Sequence, residues 1–258
     1  MTRKQVWKAA LGAAVSGIAL FAATAAMGQT LVQTTVENRV LLAFKVADAG
    51  VQEMLPEGWA PLTLPKGPVA GSNLIVSLFD KLLSLDAEGK PADAAPSPVM
   101  ALVAYGINPE VEGVRTFVTG IYEVPPLVDP YGVSQAAAIA RKATMTYDAD
   151  GRFLAEDWAI KPESGGAFTL ALDYRVGGYG WSVGGTSEPF SPVVEGFHQI
   201  YRYDQLAELA MNTTMGKALA GDVSYTADIP ALAGLFDGSE ALVAVVSIPV
   251  YVREVLEP

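Results

Sequence analysis

The chain contains no cysteine and a single histidine among its 258 residues. These absences exclude disulfide scaffolds, cysteine nucleophiles and any zinc site built from thiolates or paired imidazoles. Basic residues are also scarce, with 17 lysines and arginines against 28 acidic residues and a formal net charge of -11. Because nucleic-acid affinity comes mainly from basic side chains that displace counterions, no nucleic-acid partner is expected. Any chemistry must use carboxylates, amines or hydroxyl groups.

Hydrophobic residues make up 51% of the chain and charged residues only 17%, a composition that excludes intrinsic disorder and allows a substantial core. No internal repeat or long polar linker is visible, so we expect one domain over residues 29–258. The sequence has no phosphate-binding loop, dinucleotide fingerprint or metal-ligand cluster, and we therefore predict no cofactor and no metal. The sequence leaves the oligomeric state open, and a homo-oligomer is one of the options.

Residues 1–28 have the layout of a secretory signal peptide. Three basic residues lie within the first eight positions, and residues 9–26 form a nearly continuous run of small and apolar side chains without charge. Of two small-x-small cleavage sites, the later one, which leaves Gln29 as the new N-terminus, is favoured. The alternative is a retained membrane anchor, although alanine and glycine insert weakly. We expect an exported protein, periplasmic or secreted, that contacts the membrane only transiently.

Strand-like runs separated by turn signals fill most of the remaining chain. The runs lie at 41–46, 73–79, 99–107, 114–124, 142–147, 153–160, 168–176 and 241–252. Asp150-Gly151 predicts a hairpin turn, and a short helix is predicted over 47–55. This spacing favours a mainly β fold (α+β), an antiparallel sheet or barrel with a few short helices.

Two segments depart from that simple pattern. Asp204 is a plausible N-cap, so the partly apolar sequence after it predicts a helix that ends near Ala220. The run 241–252 is apolar on both faces, which predicts a strand buried on both sides. Pro249 within it cannot donate a hydrogen bond to a neighbouring strand, so an edge or a bulge is expected there.

Three short motifs have simpler interpretations than their functional ones. Gly180-Trp181-Ser182-Val183-Gly184 matches the elbow that presents a nucleophilic serine, but no helix can follow it, and a glycine-rich turn or bulge is favoured. Histidine is the residue type whose charge ordinarily changes near neutral pH, so His198 is a candidate base, yet a histidine among aromatic residues is more often a packing residue. Asn212 begins a glycosylation sequon that falls inside the predicted helix, and we interpret it as chance.

Lys142 differs in its setting from the other lysines. It follows Arg141 directly and is otherwise embedded in alanine-rich sequence. An amine that is desolvated beside a permanent cation loses its proton more easily and becomes a nucleophile towards carbonyl carbon. The alternative is that Arg141 and Lys142 are a solvated pair on the surface. The local sequence by itself favours this alternative over an activated amine.

The stretch 42–59, LAFKVADAGVQEMLPEGW, reads as a strand, a short helix and a Leu-Pro-x-Gly-aromatic turn. It resembles the opening of acetoacetate decarboxylase-like proteins. Residues 71–76, the segment 206–220 and the closing strand extend this resemblance over most of 36–256. The resemblance implies a closed antiparallel β-barrel or cone around a buried apolar cavity. In catalytic members of the family, a lysine forms a Schiff base that accepts the electron pair when a 3-oxo acid loses carbon dioxide. Acetoacetate decarboxylase is itself the usual example of a lysine activated by a neighbouring cation.

Carried over by position, the resemblance makes Lys142 the Schiff-base lysine, places Arg141 where the family has a second lysine, and makes Glu88 a candidate acid. The family's proline before the lysine pair is absent here, and arginine differs from lysine in size and reach. Both departures weigh against decarboxylase activity more than against the fold.

Two functions from different classes follow. The first is a Schiff-base lyase that acts on a small 3-oxo acid through Lys142. The second is an exported barrel that binds a small apolar or carbonyl-bearing molecule without turnover. Its candidate substrate-binding aromatic residues are Tyr179, Trp181, Phe197 and Tyr201. The orientation of Lys142 discriminates between the two, because an amine that faces water is not activated by desolvation.

Overall fold

The computed structural model describes residues 28–92 and 97–258, so residues 1–27 of the expected signal peptide lie outside the described part of the chain. The strands are β1 (Thr30–Lys45), β2 (Ala60–Pro61), β3 (Leu74–Asp86), β4 (Ser97–Asn108), β5 (Val111–Glu123), β6 (Ser134–Asp148), β7 (Gly151–Pro162), β8 (Phe168–Arg175), β9 (Gly180–Ser187), β10 (Pro189–Phe190), β11 (Ile200–Asn212), β12 (Gly221–Ala227) and β13 (Ala241–Glu257). The helices are α1 (Asp48–Gln52) and a 3₁₀ turn at Pro230–Leu232. The mainly β class with a few short helices is confirmed. Within the two described ranges, none of these helices has the length and apolar character needed to cross a membrane.

The strands form one mixed sheet in the order β12-β8-β7-β6-β5-β4-β3-β1-β13-β11-β9. Most neighbours are antiparallel, whereas β6 and β10 each pair parallel to β5. The path ends at β12 and β9, so in the described residues the sheet is open where the resemblance implied a closed barrel.

The sheet folds into two layers around an apolar core. Strands β6 and β5 share only three register pairs, and from there β6, β7, β8 and β12 form the second layer. Alternate residues of β1, Val40, Leu42 and Phe44, pack in one buried cluster with Trp158 of β7 and Leu170 of β8. Each such side chain contributes roughly 1.5–3 kcal/mol when it is fully buried. Because side chains alternate across a strand, the intervening residues of β1 face away from this core.

The predicted helix from Asp204 to Ala220 is wrong. Strand β11 occupies the first part of this segment and pairs with β13 on one side and β9 on the other. Leu209 and Ala210, which a helix would place on one face, pack in different clusters on opposite faces of the sheet. The local pattern fits both structures, and the two neighbouring strands decide between them.

Several local predictions are confirmed. Pro249 lies in the central strand β13 at a register shift against β1 and β11, which is a bulge rather than an edge. Gly184 lies at a register shift between β9 and β11 with a φ of 68°, so the serine motif is a bulged strand. The hairpin between β6 and β7 turns at Ala149-Asp150. The helix predicted over 47–55 is the shorter α1.

Candidate functional site

A cavity of about 460 Å³ lies on the face of β1 that is turned away from the inter-sheet core. Residues from β1, β3, β4, β5, β11 and β13 line it together with residues 128, 130 and 131. Its volume falls within the range of small-molecule sites, roughly 300–1,000 Å³. The curvature of six strands therefore creates a concave surface large enough for a ligand.

A buried ion cluster forms one wall of this cavity. The side chain of Glu37 is fully buried, and its Oε1 accepts hydrogen bonds from Thr35 Oγ1 at 2.6 Å and Arg253 Nη2 at 2.8 Å. Its Oε2 accepts a hydrogen bond from Arg39 Nε at 2.6 Å. The side chains of Arg39 and Arg253 are only 13% and 11% exposed. Two guanidinium groups share one carboxylate, so the cluster carries one net positive charge.

The charge states of this cluster follow from its contacts. Burial by itself raises the pKa of Glu37, but the charges of Arg253 and Arg39, with hydrogen bonds from Thr35 and Arg39, outweigh burial and hold that pKa below its usual range. Burial lowers the pKa of Arg253, whereas the neighbouring Glu37 charge raises it, and the net result lies above the ordinary value. Glu37 and Arg253 are therefore both ionised at neutral pH.

Two buried polar atoms, on residues that line the cavity, make no hydrogen bond within the described part of the chain. Arg39 Nη2 lies beside Glu37 Oε2 as an ion pair but without the alignment of a hydrogen bond, and Ser77 Oγ has no partner. The Arg39 guanidinium is held over the rings of Tyr251 and Phe79, 3.8 and 4.8 Å from their centroids. A buried donor without an acceptor is costly, and carboxylates are the strongest acceptors for guanidinium groups. This end of the ion cluster suits an anionic ligand.

Tyrosine hydroxyls form a second polar feature of the wall. Tyr131 Oη and Tyr201 Oη lie 2.7 Å apart, and each lies within 3.2 Å of Gln199 Oε1. Burial, followed by the neighbouring Tyr201, raises the pKa of Tyr131, so its hydroxyl stays neutral. The Arg253 guanidinium stacks 4.4 Å from the Tyr201 ring centroid. The hydroxyl pair is thereby joined to the ion cluster.

The opposite wall is mostly apolar and is contributed by β4 and β5, through Val99, Ala101, Val103, Val118 and Ile121. Glu123 of β5, opposite Val99, also lines the cavity, and its Oε1 accepts a hydrogen bond from the Val128 N–H at 3.2 Å. Lys81 of β3 is half-buried and also lines the cavity. Within residues 28–92 and 97–258, Lys81 is the only lysine that lines this cavity. An amine, a cationic cluster and an apolar wall thus share one space.

Glu37, Arg39, Arg253 and Lys81 are not among the site residues predicted from the sequence. One signal could have indicated the first two, because they lie two positions apart in a strand and therefore face the same side. Charged residues on a buried strand face are rare unless they are paired. Nothing local identifies Arg253 as their partner, since it lies 216 positions beyond Glu37.

The predicted lysine and arginine lie on opposite faces of β6. Lys142 is exposed to solvent. Arg141 points into the inter-sheet space, where its guanidinium lies 3.3 Å from Asp80 and 3.2 Å from Glu156 and donates a 2.6 Å hydrogen bond to Asn38 Oδ1. Alternation along the strand separates the two side chains, and the desolvation on which an activated Lys142 depends is absent.

The third residue of the predicted catalytic set also lies away from the cavity. Glu88 is exposed in the turn that follows β3, where its backbone N–H donates to Asp86 Oδ1 at 3.1 Å. His198 stacks on Phe190 with ring centroids 4.6 Å apart and does not line the cavity. The structure therefore does not bring Glu88, Arg141 and Lys142 together.

Of the four predicted binding aromatics, Tyr201 lines the cavity. Phe197 packs edge-on against Tyr131, 5.3 Å between centroids, and so supports the wall from behind. Trp181 is 55% exposed on β9. Tyr179 borders a separate cavity of about 170 Å³ beside Arg141. Across the described ranges, no group of three or more acidic or histidine side chains is arranged to hold a metal ion.

Comparison with known proteins identifies the fold. No protein-family model and no curated protein matches the sequence. Among solved structures, the enduracididine biosynthesis enzyme MppR complexed with pyruvate aligns with a TM-score of 0.55 at 9% identity, covering 91% of each chain. An acetoacetate decarboxylase-like enzyme from Sphingomonas wittichii RW1 aligns with a TM-score of 0.51 at 12% identity, covering 88% of this chain and 91% of that one. An acetoacetate decarboxylase aligns with a TM-score of 0.52 at 6% identity, covering 87% of both. The chain therefore has the same fold as these acetoacetate decarboxylase-like enzymes.

Proposed function

We propose that this protein binds a small carboxylic acid in the cavity beside the Glu37 ion cluster. The observation that carries the proposal is the buried cluster of Arg39, Arg253 and Glu37, which has one net positive charge and whose two arginines line the cavity. Guanidinium groups bind carboxylates more strongly than other acceptors, and Ser77, which also lines the cavity, carries a further hydroxyl donor.

The remaining walls fit the body of such a molecule. The apolar side chains of β4 and β5 provide a surface for the carbon atoms of the ligand. MppR, which has the same fold, was solved with pyruvate, a carboxylate that carries a carbonyl group. The fold is thus known to hold this type of ligand in another protein.

Calorimetric titration with pyruvate, longer monocarboxylates and their methyl esters tests the proposal. Loss of a hydrogen bond to a charged group costs about 1.5–3 kcal/mol, so Arg39→Met should weaken acid binding about 10- to 150-fold. Ser77→Ala should also weaken binding while leaving the fold intact, because Ser77 Oγ makes no internal hydrogen bond. Arg141→Met is the matched control, since this half-buried arginine does not line the cavity. Equal binding of acids and esters would contradict the proposal.

Schiff-base lyase chemistry is a second candidate, and the presence of Lys81 in the same cavity favours it. The neutral amine would attack the ketone carbon of a 3-oxo acid and expel water to give a protonated imine. The imine would accept the electron pair of the breaking carbon–carbon bond as carbon dioxide leaves. Protonation of the resulting enamine and hydrolysis would then release the ketone and restore the lysine.

Borohydride trapping with 3-oxo acids and ketones, read by intact mass and peptide mapping, tests this chemistry. Lys81→Ala and Lys142→Ala are compared with the unmodified chain. A reduced adduct that disappears in Lys81→Ala supports the lyase with Lys81, and one that disappears in Lys142→Ala supports the position predicted from the sequence. If no lysine of the folded protein forms an adduct, acid binding without turnover is the function that remains.

We also propose that the protein is exported after cleavage before Gln29. The support is the basic start and uncharged apolar run of residues 1–28. N-terminal sequencing of protein recovered from the periplasm or medium of an expressing bacterium should read Gln29 first. Recovery of the uncleaved chain in the cytoplasm would contradict export.

A further inference from the structure

Resting on the proposed function, we infer that the bound acid is larger than pyruvate and carries an apolar tail or ring that extends past its carboxylate along β4 and β5. The ligand class is an amphipathic monocarboxylate. The inference depends on where Arg39 lies along the cavity, on what lines the space to either side of it, and on the volume to be filled.

The strand register places Arg39 between two different ends of the cavity. Arg39 pairs with Phe79, and Phe79 pairs with Val99. From Val99 the cavity wall continues along β4 through Ala101 to Val103, four residues further, which is a distance of about 13 Å. The carboxylate site is therefore not at the end of the cavity.

The end beyond Arg39 is apolar. Ala101 and Ile121 face each other across β4 and β5, and Val103 faces Val118. Ser77, next to Ala101 in the register, is the one polar residue of β3 to β5 at this end of the cavity lining. Further along, Val103 packs on the buried cluster that contains Ile75. An apolar group that binds here therefore lies against apolar side chains.

The other end is more polar. Its lining includes Lys81 and Asp86 of β3, Gln33 of β1 and Glu257 of β13, together with the apolar Val32, Ala92 and Val255. Burying a hydrocarbon tail against the polar groups would deprive them of water without offering a partner. A tail attached to a carboxylate at Arg39 should therefore point towards Val103.

The cavity volume gives an independent reason. At about 460 Å³ it could hold roughly 15 water molecules, taking about 30 Å³ for each. Pyruvate would fill only a minor part of this space. A ligand with additional carbon atoms displaces more water from the apolar wall, and each buried methylene should tighten binding about fourfold.

The test is calorimetric titration with straight-chain acids from propionate to decanoate, and with 3-phenylpropionate, all below their micellar concentrations. We expect the affinity to rise about fourfold per methylene until the apolar end is filled, and then to level off. Binding of propionate or pyruvate as tight as that of octanoate would overturn the inference and leave the proposed function standing. No binding of any acid would overturn both.

A pair of matched substitutions locates the tail. Ala101→Leu fills the apolar end and should shorten the best-binding chain. Ala92→Leu makes the same change at the polar end and should leave the chain-length profile as it is. Ile121→Phe provides a second way to fill the apolar end if Ala101→Leu melts at a lower temperature than the unmodified chain. Equal shifts from the substitutions at both ends would overturn the assigned direction.

Discussion

Replacing Glu37 by glutamine tests whether the buried ion cluster is organised as the structure shows. Both carboxylate oxygens of Glu37 are occupied, by Thr35 and Arg253 on one side and Arg39 on the other. Glutamine keeps the size of the side chain but removes the negative charge. The two guanidinium groups then remain buried against each other without a counter-ion.

The expected loss of stability is large because the remaining charges are poorly solvated. Breaking a buried ion pair by removing one partner costs about 3–5 kcal/mol. For a domain of 150–250 residues, each kcal/mol lowers the melting temperature by about 2–4 °C, so Glu37→Gln should lower it by roughly 6–20 °C. Glu88→Gln removes an exposed carboxylate and should stay within about 0.5 kcal/mol of the unmodified chain.

The pH dependence follows from the lowered pKa of Glu37. A carboxyl whose pKa is lower in the folded state contributes its full stability above the unfolded pKa, about 4.3 for glutamate. That contribution is lost as the pH falls through the folded pKa. Glutamine does not titrate, so Glu37→Gln lacks this contribution at every pH. The difference in stability between the variant and the unmodified chain should therefore be constant from pH 7 to about 5.5 and should narrow below pH 4.

Urea unfolding followed by tryptophan fluorescence measures the difference at pH 7, 5, 4 and 3. A loss below about 1 kcal/mol at pH 7, or a difference that does not narrow in acid, would refute the buried cluster. A triple variant with Glu37→Leu, Arg39→Met and Arg253→Met separates charge from packing. Apolar replacement of a whole buried ion cluster is often neutral or stabilising, so this variant should fold yet fail to bind acids.

Two further predictions concern packing and modification. A Cβ at Gly50 would lie 2.2 Å from the backbone oxygen of Gly234, so Gly50→Ala should lower the free energy of unfolding in urea by about 1–3 kcal/mol. Gly180→Ala is the control, because the nearest atom to its Cβ would be 3.9 Å away, and it should change stability by less than about 0.5 kcal/mol. Asn212 is fully buried and its Nδ2 donates to Pro68 O at 2.9 Å, so intact mass of the protein from a glycosylating host should show no glycan there; a glycan-sized mass increase would contradict this burial.

The strand positions were predictable because the signals that set them are local. Alternation, the Asp150-Gly151 turn and the missing N–H of Pro249 each act within a few residues, and the structure places strands, a hairpin and a bulge there. The segment after Asp204 was not predictable in this way. Its apolar residues suit a helix face or two strand faces, and pairing with β9 and β13 makes it a strand.

The candidate site depends even more than the fold on contacts between residues far apart in the chain. The sequence drew attention to Arg141 and Lys142 because they are adjacent, but adjacent residues of a strand point to opposite faces. The structure instead assembles its cationic cluster from Arg39 near one end of the described chain and Arg253 near the other. Tyr201, named from the sequence, lines the cavity, although nothing local shows that its ring stacks with Arg253.

The sequence by itself therefore determined the residue types available for chemistry, the acidic balance, the mainly β class and the approximate places of most strands, because composition and period-two patterning are properties of short segments. Only the tertiary structure decided which strands are neighbours, which face of β1 lines a cavity, and which charges meet around Glu37. Those choices depend on the register between strands far apart in the chain, where a shift of one residue would turn every side chain to the opposite face.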